Sequence, residues 1–172
     1  LFNNFILNSL TGYFGGSGGI IFKTYDGGGS WSSRVISQDP NVNSIFAVSE
    51  SKIFVSGRFG FYNSIDGGLS WNTVAIPSQS YGKIFFPNVN TGYLSGGYYS
   101  TTPPFSGYPV ILYTQNGGVN WSEIYTNNNA GIPFRKIKMF NETFGLMIGR
   151  NTFDDNFFYI TNNGVNWSQL NT

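Results

Sequence analysis

Neither cysteine nor histidine occurs among the 172 residues. Their absence removes disulfides, thiol nucleophiles, Cys/His zinc sites, histidine general bases and Ser-His-Asp triads. Charge is scarce too: Asp, Glu, Lys and Arg make up 10% of the chain, against roughly a quarter in an average globular protein. The net charge of +1 gives no electrostatic footprint for nucleic acid or an anionic membrane. No apolar run approaches the roughly 18 residues of a membrane helix. No segment sustains a helical apolar period, so almost no helix is expected. The first residues carry no basic stretch and no continuous apolar stretch, and no secretion leader is expected within them.

Aromatic residues are abundant at 19%, with 17 Phe, 11 Tyr and 4 Trp, alongside 23 Gly and 21 Asn. An apolar content of 40% is enough to bury a core and offset the entropy of ordering one domain. Few charges among many Asn, Ser, Thr and Tyr is a composition common on secreted and cell-surface β-proteins. A secreted or surface location is the corresponding expectation.

One segment recurs four times: TYDGGGSW at 24–31, SIDGGLSW at 64–71, TQNGGVNW at 114–121 and ITNNGVNW at 160–167. Successive Trp residues (Trp31, Trp71, Trp121, Trp167) are 40, 50 and 46 positions apart. An apolar pair precedes each motif and a short alternating stretch follows it. Two further strand-like runs lie upstream, the second ending in Gly. Each repeat therefore holds four short β-runs, A to D, separated by Gly, Asn, Asp and Pro. Four strands in about 43 residues is the pattern of a β-propeller blade. A β-sandwich, the alternative all-β architecture, gives no reason for the same turn chemistry after every third strand. The expected fold is an all-β propeller of four four-stranded antiparallel blades spanning about 2–37, 44–77, 83–126 and 134–171. These blades form either a closed ring or an arc of a larger ring, completed by further blades of the same chain or by another subunit.

The segment between strands C and D reads as a hairpin turn. Asp or Asn accepts hydrogen bonds from its own turn, Gly tolerates positive φ, and Trp opens the next strand. The pattern Ser/Thr-x-Asp-x-Gly-x-Ser/Thr-Trp resembles the Asp-box, or BNR repeat. Thr24, Asp26, Gly28, Ser30 and Trp31 match it, as do Ser64, Asp66, Gly68, Ser70 and Trp71. The third copy, with Asn116, Gly118 and Trp121, departs at Asn116 and Asn120. The fourth, with Gly164 and Trp167, is aligned with Ile160 in the Ser/Thr place, Asn162 in the Asp place and Asn166. The Gly-Tyr-Phe-x-Gly before the box and the Asp-Gly-Gly within it look most like the photosystem II stability/assembly factor-like branch of secreted bacterial type. The resemblance implies a propeller fold. It leaves activity open, because the same box occurs in sialidases, other glycosidases, receptors and non-enzymatic modules. Asp26 and Asp66 are read as structural turn residues, and all four Trp as largely buried.

Two B–C connections are longer than the rest, 97–109 and 150–157, and long connections without a packing role are where binding sites concentrate. They carry Tyr98, Tyr99, Phe105, Tyr108, Arg150 and Phe153. Arg58 holds the same repeat position as Arg150, and Arg binds carboxylates bidentately and stacks on aromatics. These seven residues are the candidate contacts for a protein or glycan partner. Asp154 and Asp155 could hold Ca²⁺, but their spacing matches no cation loop, and two adjacent acids are more simply solvated. No metal and no cofactor is expected. An enzyme would be a sialidase-like or other glycoside hydrolase propeller, or a fragment of one. It would need paired carboxylates, or a Tyr with a Glu partner. With Asp26 and Asp66 committed to turns, Glu123 and Glu142 stand in no recognisable site motif, and only Arg58 and Arg150 could converge where a sialidase needs three Arg. The expected function is a non-catalytic binding or scaffold module, with specificity on the B–C loop face.

Overall fold

The computed structural model describes residues 3–36, 41–78, 80–99, 107–126, 132–150 and 156–170. Sixteen strands form four four-stranded antiparallel sheets, each in sequential order, and no helix occurs among the described residues. Blade 1 comprises β1 (Asn3–Ile6), β2 (Gly12–Gly15), β3 (Ile20–Thr24) and β4 (Ser32–Val35). Blade 2 comprises β5 (Val42–Ala47), β6 (Ile53–Gly57), β7 (Phe61–Ser64) and β8 (Asn72–Thr73). Blade 3 comprises β9 (Ser80–Phe85), β10 (Gly92–Tyr99), β11 (Gly107–Thr114) and β12 (Ser122–Thr126). Blade 4 comprises β13 (Ile132–Met139), β14 (Gly145–Arg150), β15 (Asn156–Thr161) and β16 (Ser168–Leu170). The chain divides into two compact units, Leu1–Ala75 with blades 1 and 2 and Ile76–Thr172 with blades 3 and 4.

Within each unit the core lies between two stacked blades. In unit 1, Tyr13 and Ile21 of blade 1 cluster with Ile45, Ile53, Val55 and Tyr62 of blade 2, and Phe5 and half-buried Trp71 pack on the cluster. In unit 2, Tyr93 and Ile111 of blade 3 meet Ile137, Met139, Met147, Tyr159 and Trp167 of blade 4. The strand period of two explains this division: Phe5, Tyr13 and Ile21 share one face of blade 1, while Ile6 and Phe22 occupy the other. The face that looks toward the following blade is called forward below, and the face that looks toward the preceding one backward.

Candidate binding face

The recurring turn is built the same way in blades 1 to 3, and blade 4 carries a shorter version of it. Thr24 Oγ1 donates to Asp26 Oδ1 at 2.7 Å and accepts the Gly28 N–H at 2.9 Å. Asp26 Oδ1 accepts the Ser30 N–H at 2.9 Å, and Oδ2 accepts the Ser30 hydroxyl at 2.6 Å. Ser64, Asp66, Gly68 and Ser70 repeat the arrangement in blade 2. Hydrogen bonds from the Ser hydroxyl and backbone, and then from Thr24 or Ser64, hold both carboxyls well below the usual carboxylate range. In blade 3, Asn116 Oδ1 accepts from Thr114 Oγ1 and from the Asn120 N–H, both at 2.9 Å. Each turn also reaches the A–B loop of its own blade: the N–H groups of Gly27, Gly67, Gly117 and Gly164 donate to Leu10, Ser51, Asn90 and Thr143 carbonyls at 2.7–2.9 Å. All four glycines have φ between 66° and 77°, a conformation costly for any residue with a Cβ.

The last set of bonds corrects the alignment of the fourth copy. There the acceptor is Asn163, not Asn162, and the hydroxyl belongs to Thr161, not Ile160. Gly164 holds the place of Gly27, not of Gly28, so this turn is one residue shorter. Asn162 is a solvent-exposed spacer. The expectation of four buried Trp also fails at one position. Trp121 and Trp167 are 9% and 7% exposed, whereas Trp31 is 47% exposed. Trp31 Nε1 donates to Gly28 O of its own turn at 3.2 Å, and its ring lies on the face of blade 1 that the blade 1–blade 2 core does not cover.

The two long B–C connections are shorter as loops than expected. β10 runs to Tyr99 and β11 starts at Gly107, so Gly97, Tyr98, Tyr99, Gly107, Tyr108 and Pro109 are strand, with Tyr98 paired to Tyr108. In blade 4, Arg150 ends β14 and pairs with Asn156. β9 follows β10 only as far as Gly97, so the last two rungs, Tyr98–Tyr108 and Tyr99–Gly107, stand as a two-stranded ribbon among the described residues. Such a ribbon is marginal alone in water. Tyr98 clamps it: the hydroxyl donates to Pro77 O at 2.6 Å and lies 3.0 Å from Glu123 Oε2. Desolvation first, and Glu123 second, raise the Tyr98 pKa. Tyr98 thus holds the hairpin with its polar end.

Arg58 is solvent-exposed in the β6–β7 turn, with its guanidinium 5.4 Å from the ring of Phe59, itself 68% exposed. Sequence reasoning missed Phe59; its signal was an aromatic between Arg58 and Gly60 in a four-residue turn. Phe105 and Phe153, with Asp154 and Asp155, lie outside the described residues, and for Tyr99, Tyr108 and Arg150 only the strand backbone is described. Arg58 belongs to unit 1 and the other six candidates to unit 2.

One cavity of about 80 Å³ opens within unit 1, lined by Tyr13, Lys23, Tyr25, Arg34 and Trp71. Lys23 spans it, donating to Gly67 O at 2.8 Å, with its ammonium 4.3 Å from the Tyr25 ring and 5.0 Å from that of Tyr13. Desolvation opposes the Lys23 charge, but the Tyr25 and Tyr13 hydroxyls outweigh it and the pKa is raised. Among the described residues Tyr13 Oη and Trp71 Nε1 are buried with no protein atom at hydrogen-bond distance, the Lys23 ammonium acting on Tyr13 from farther away; a cavity of this size has room for the few waters that would satisfy them.

No protein-family model matches the chain, and no curated protein does. Solved structures do. YCF48 bound to D1 peptide superposes with a TM-score of 0.68 at 19% identity, covering 100% of this chain and 52% of that one. The fold is a YCF48-like β-propeller. YCF48 from Cyanidioschyzon merolae gives a TM-score of 0.71 at 19% identity over 100% of this chain and 57% of that one. An ancestral GH74 enzyme gives 0.70 at 16% identity over 98% and 27%. The chain spans about half the length of these YCF48 structures and about a quarter of the enzyme.

Proposed function

We propose that this propeller is a non-catalytic binding module that recognises an extended protein segment, with the turns serving as structural Asp-boxes of a secreted or cell-surface protein. The observation that carries the reading is the β10–β11 hairpin. Its strands have eight residues each, against four or five for β2, β3, β6 and β7, and its last two rungs project beyond β9. Among the described residues these two rungs pair only with each other, and a strand edge of that kind beside Tyr98 and Tyr108 suits an extended peptide. The likeness to YCF48 bound to a peptide supports the same reading. The described acids favour binding over hydrolysis. Asp26 and Asp66 are absorbed by turns, Glu123 contacts Tyr98, and Glu50 and Glu142 accept from Asn8 and Asn88.

The test is capture on a peptide array, with a glycan array and a polysaccharide-hydrolysis panel in parallel. Peptide binding by the wild type should be weakened at least about tenfold by Tyr108→Ala, with the melting temperature nearly unchanged. Arg58→Ala should weaken binding only for acidic peptides, and less at high salt. Hydrolysis by the wild type that is lost in Glu123→Gln or Glu142→Gln would overturn this reading in favour of a glycosidase.

A further inference from the structure

The blade-on-blade interface occurs once in each unit, and it defines which surfaces pair. A forward face carrying Tyr13 and Ile21, or Tyr93 and Ile111, meets a backward face carrying Ala47, Tyr62 and Trp71, or Met139, Tyr159 and Trp167. Strand register gives the equivalents on blade 1. Ile6 holds the place of Ala47 and Met139, and Phe22 that of Tyr62 and Tyr159. Yet Ile6 is 68% exposed where Ala47 and Met139 are each 2%, and Phe22 is 38% exposed where Tyr62 is 8% and Tyr159 4%. With Trp31 and Val35, these residues make the backward face of blade 1 an apolar surface. The forward face of blade 4 is its counterpart. Phe158 there is 39% exposed, while its equivalents Ile21 and Ile111 are 4% and 0%.

A polar clasp accompanies the interface. Asn8 Nδ2 donates to Glu50 Oε1 of the next blade at 3.4 Å, and Asn88 Nδ2 to Glu142 Oε1 at 2.7 Å. Asn141 holds the place of Asn8 and Asn88, accepting the same two loop N–H groups. Ser9 holds the place of Glu50 and Glu142. Among the described residues a donor on blade 4 and an acceptor on blade 1 are thus left over, in the same sense as the two apolar faces.

We propose that the backward face of blade 1 takes the forward face of blade 4 from a second copy of this chain, head to tail, with Asn141 of one copy donating to Ser9 of the other. The two faces are the halves of an interface that the chain already makes within each unit, and each copy carries both. Charge permits it: Lys136 is exposed in strand β13, the Lys138 ammonium lies 5.3 Å from the Phe85 ring of blade 3, and Asn4, Ile6, Phe22, Ser33 and Val35 on the opposing face bring no further cation. The interface is heterologous, because the two surfaces differ.

Sedimentation velocity over a concentration series tests this, with circular dichroism as the folding control. Ile6→Asp disables the blade 1 face and Phe158→Asp the blade 4 face, and both sites are exposed, so both variants should fold. The wild type should associate with rising concentration, and each variant should do so at least about tenfold more weakly. An equimolar mixture of the two variants should associate again, because the Ile6→Asp copy keeps its blade 4 face and the Phe158→Asp copy its blade 1 face. A wild type that stays monomeric throughout would overturn the proposal and leave the face to a blade from polypeptide outside residues 1–172. Failure of the mixture to associate while the wild type does so would equally overturn it, in favour of a symmetric contact elsewhere.

Discussion

The turns of unit 1 are centred on carboxylates and those of unit 2 on amides, yet all four set a hydroxyl, an acceptor two residues on and then a positive-φ glycine in the same order. In unit 1, Asp26 and Asp66 pair with Ser30 and Ser70, whose hydroxyls donate to the second carboxylate oxygen. In unit 2, Asn116 and Asn163 are followed by Asn120 and Asn166 in the Ser places, and a single amide oxygen takes the remaining N–H groups. The difference teaches that the turn needs an acceptor two residues after a hydroxyl, not a negative charge. It also explains why acids in such turns are poor candidates for catalysis: their lone pairs are occupied by hydroxyl and N–H groups of their own turn.

A second contrast between the units lies in the tryptophans, and it predicts the largest effect. Trp167 is 7% exposed and packs edge-on against Tyr93 at 6.4 Å, so Trp167→Ala should cost about 3–5 kcal/mol as a buried aromatic truncation. Trp31 is 47% exposed, and Trp31→Ala in the monomer should cost about 1 kcal/mol or less. Equal losses in urea denaturation would mean that Trp31 is covered in solution. Next in size is Lys23→Met, which removes a charged donor from Gly67 O at 2.8 Å; about 1–3 kcal/mol should be lost, in the range for bonds to charged groups. The smallest effect concerns the acids. Because Asp26 and Asp66 are shifted downward, the stability they add is present above the pKa of about 3.9 of an unfolded Asp and is lost as pH falls through the lower folded value. Hydrogen exchange, corrected for intrinsic rates, should show the Ser30 and Ser70 amides losing protection progressively as the pH falls below about 3.9, while the Asn120 and Asn166 amides keep it. Parallel loss in all four would remove the distinction between carboxylate and amide turns. The double variant Asp66→Asn/Ser70→Asn, which copies the blade 3 turn, should melt close to the wild type.

Much of this was legible in the sequence because a tight turn with positive φ and a large ring after it constrains residue type strongly. The four Trp therefore announced the four blades. In the fourth turn a one-residue deletion before Trp167 shifts the hydroxyl and the acceptor by one position relative to the Trp. The corrective signal was Ile160, which has no hydroxyl, beside Thr161-Asn162-Asn163, which supplies hydroxyl and amide at the right separation. The tip of the β10–β11 hairpin looks like a loop in sequence because Gly96-Gly97 resembles a strand breaker; both glycines are instead paired strand residues, opposite Val110 and Pro109. The exposure of Trp31 was beyond sequence reasoning of this kind. A pattern within one repeat says which face is apolar, but not whether anything lies against it.

The glycine that joins each turn to its own A–B loop has a consequence for how the molecule can be watched. Gly27, Gly67, Gly117 and Gly164 are one per blade, and each amide proton is held by a carbonyl of the loop that starts strand B. Glycine amides resonate in a region of the nitrogen–proton spectrum that few other residues enter, so these four signals form a built-in set of gauges at equivalent sites. Their loss one after another during denaturation would give the order in which the blades come apart, without attaching a label or changing a residue.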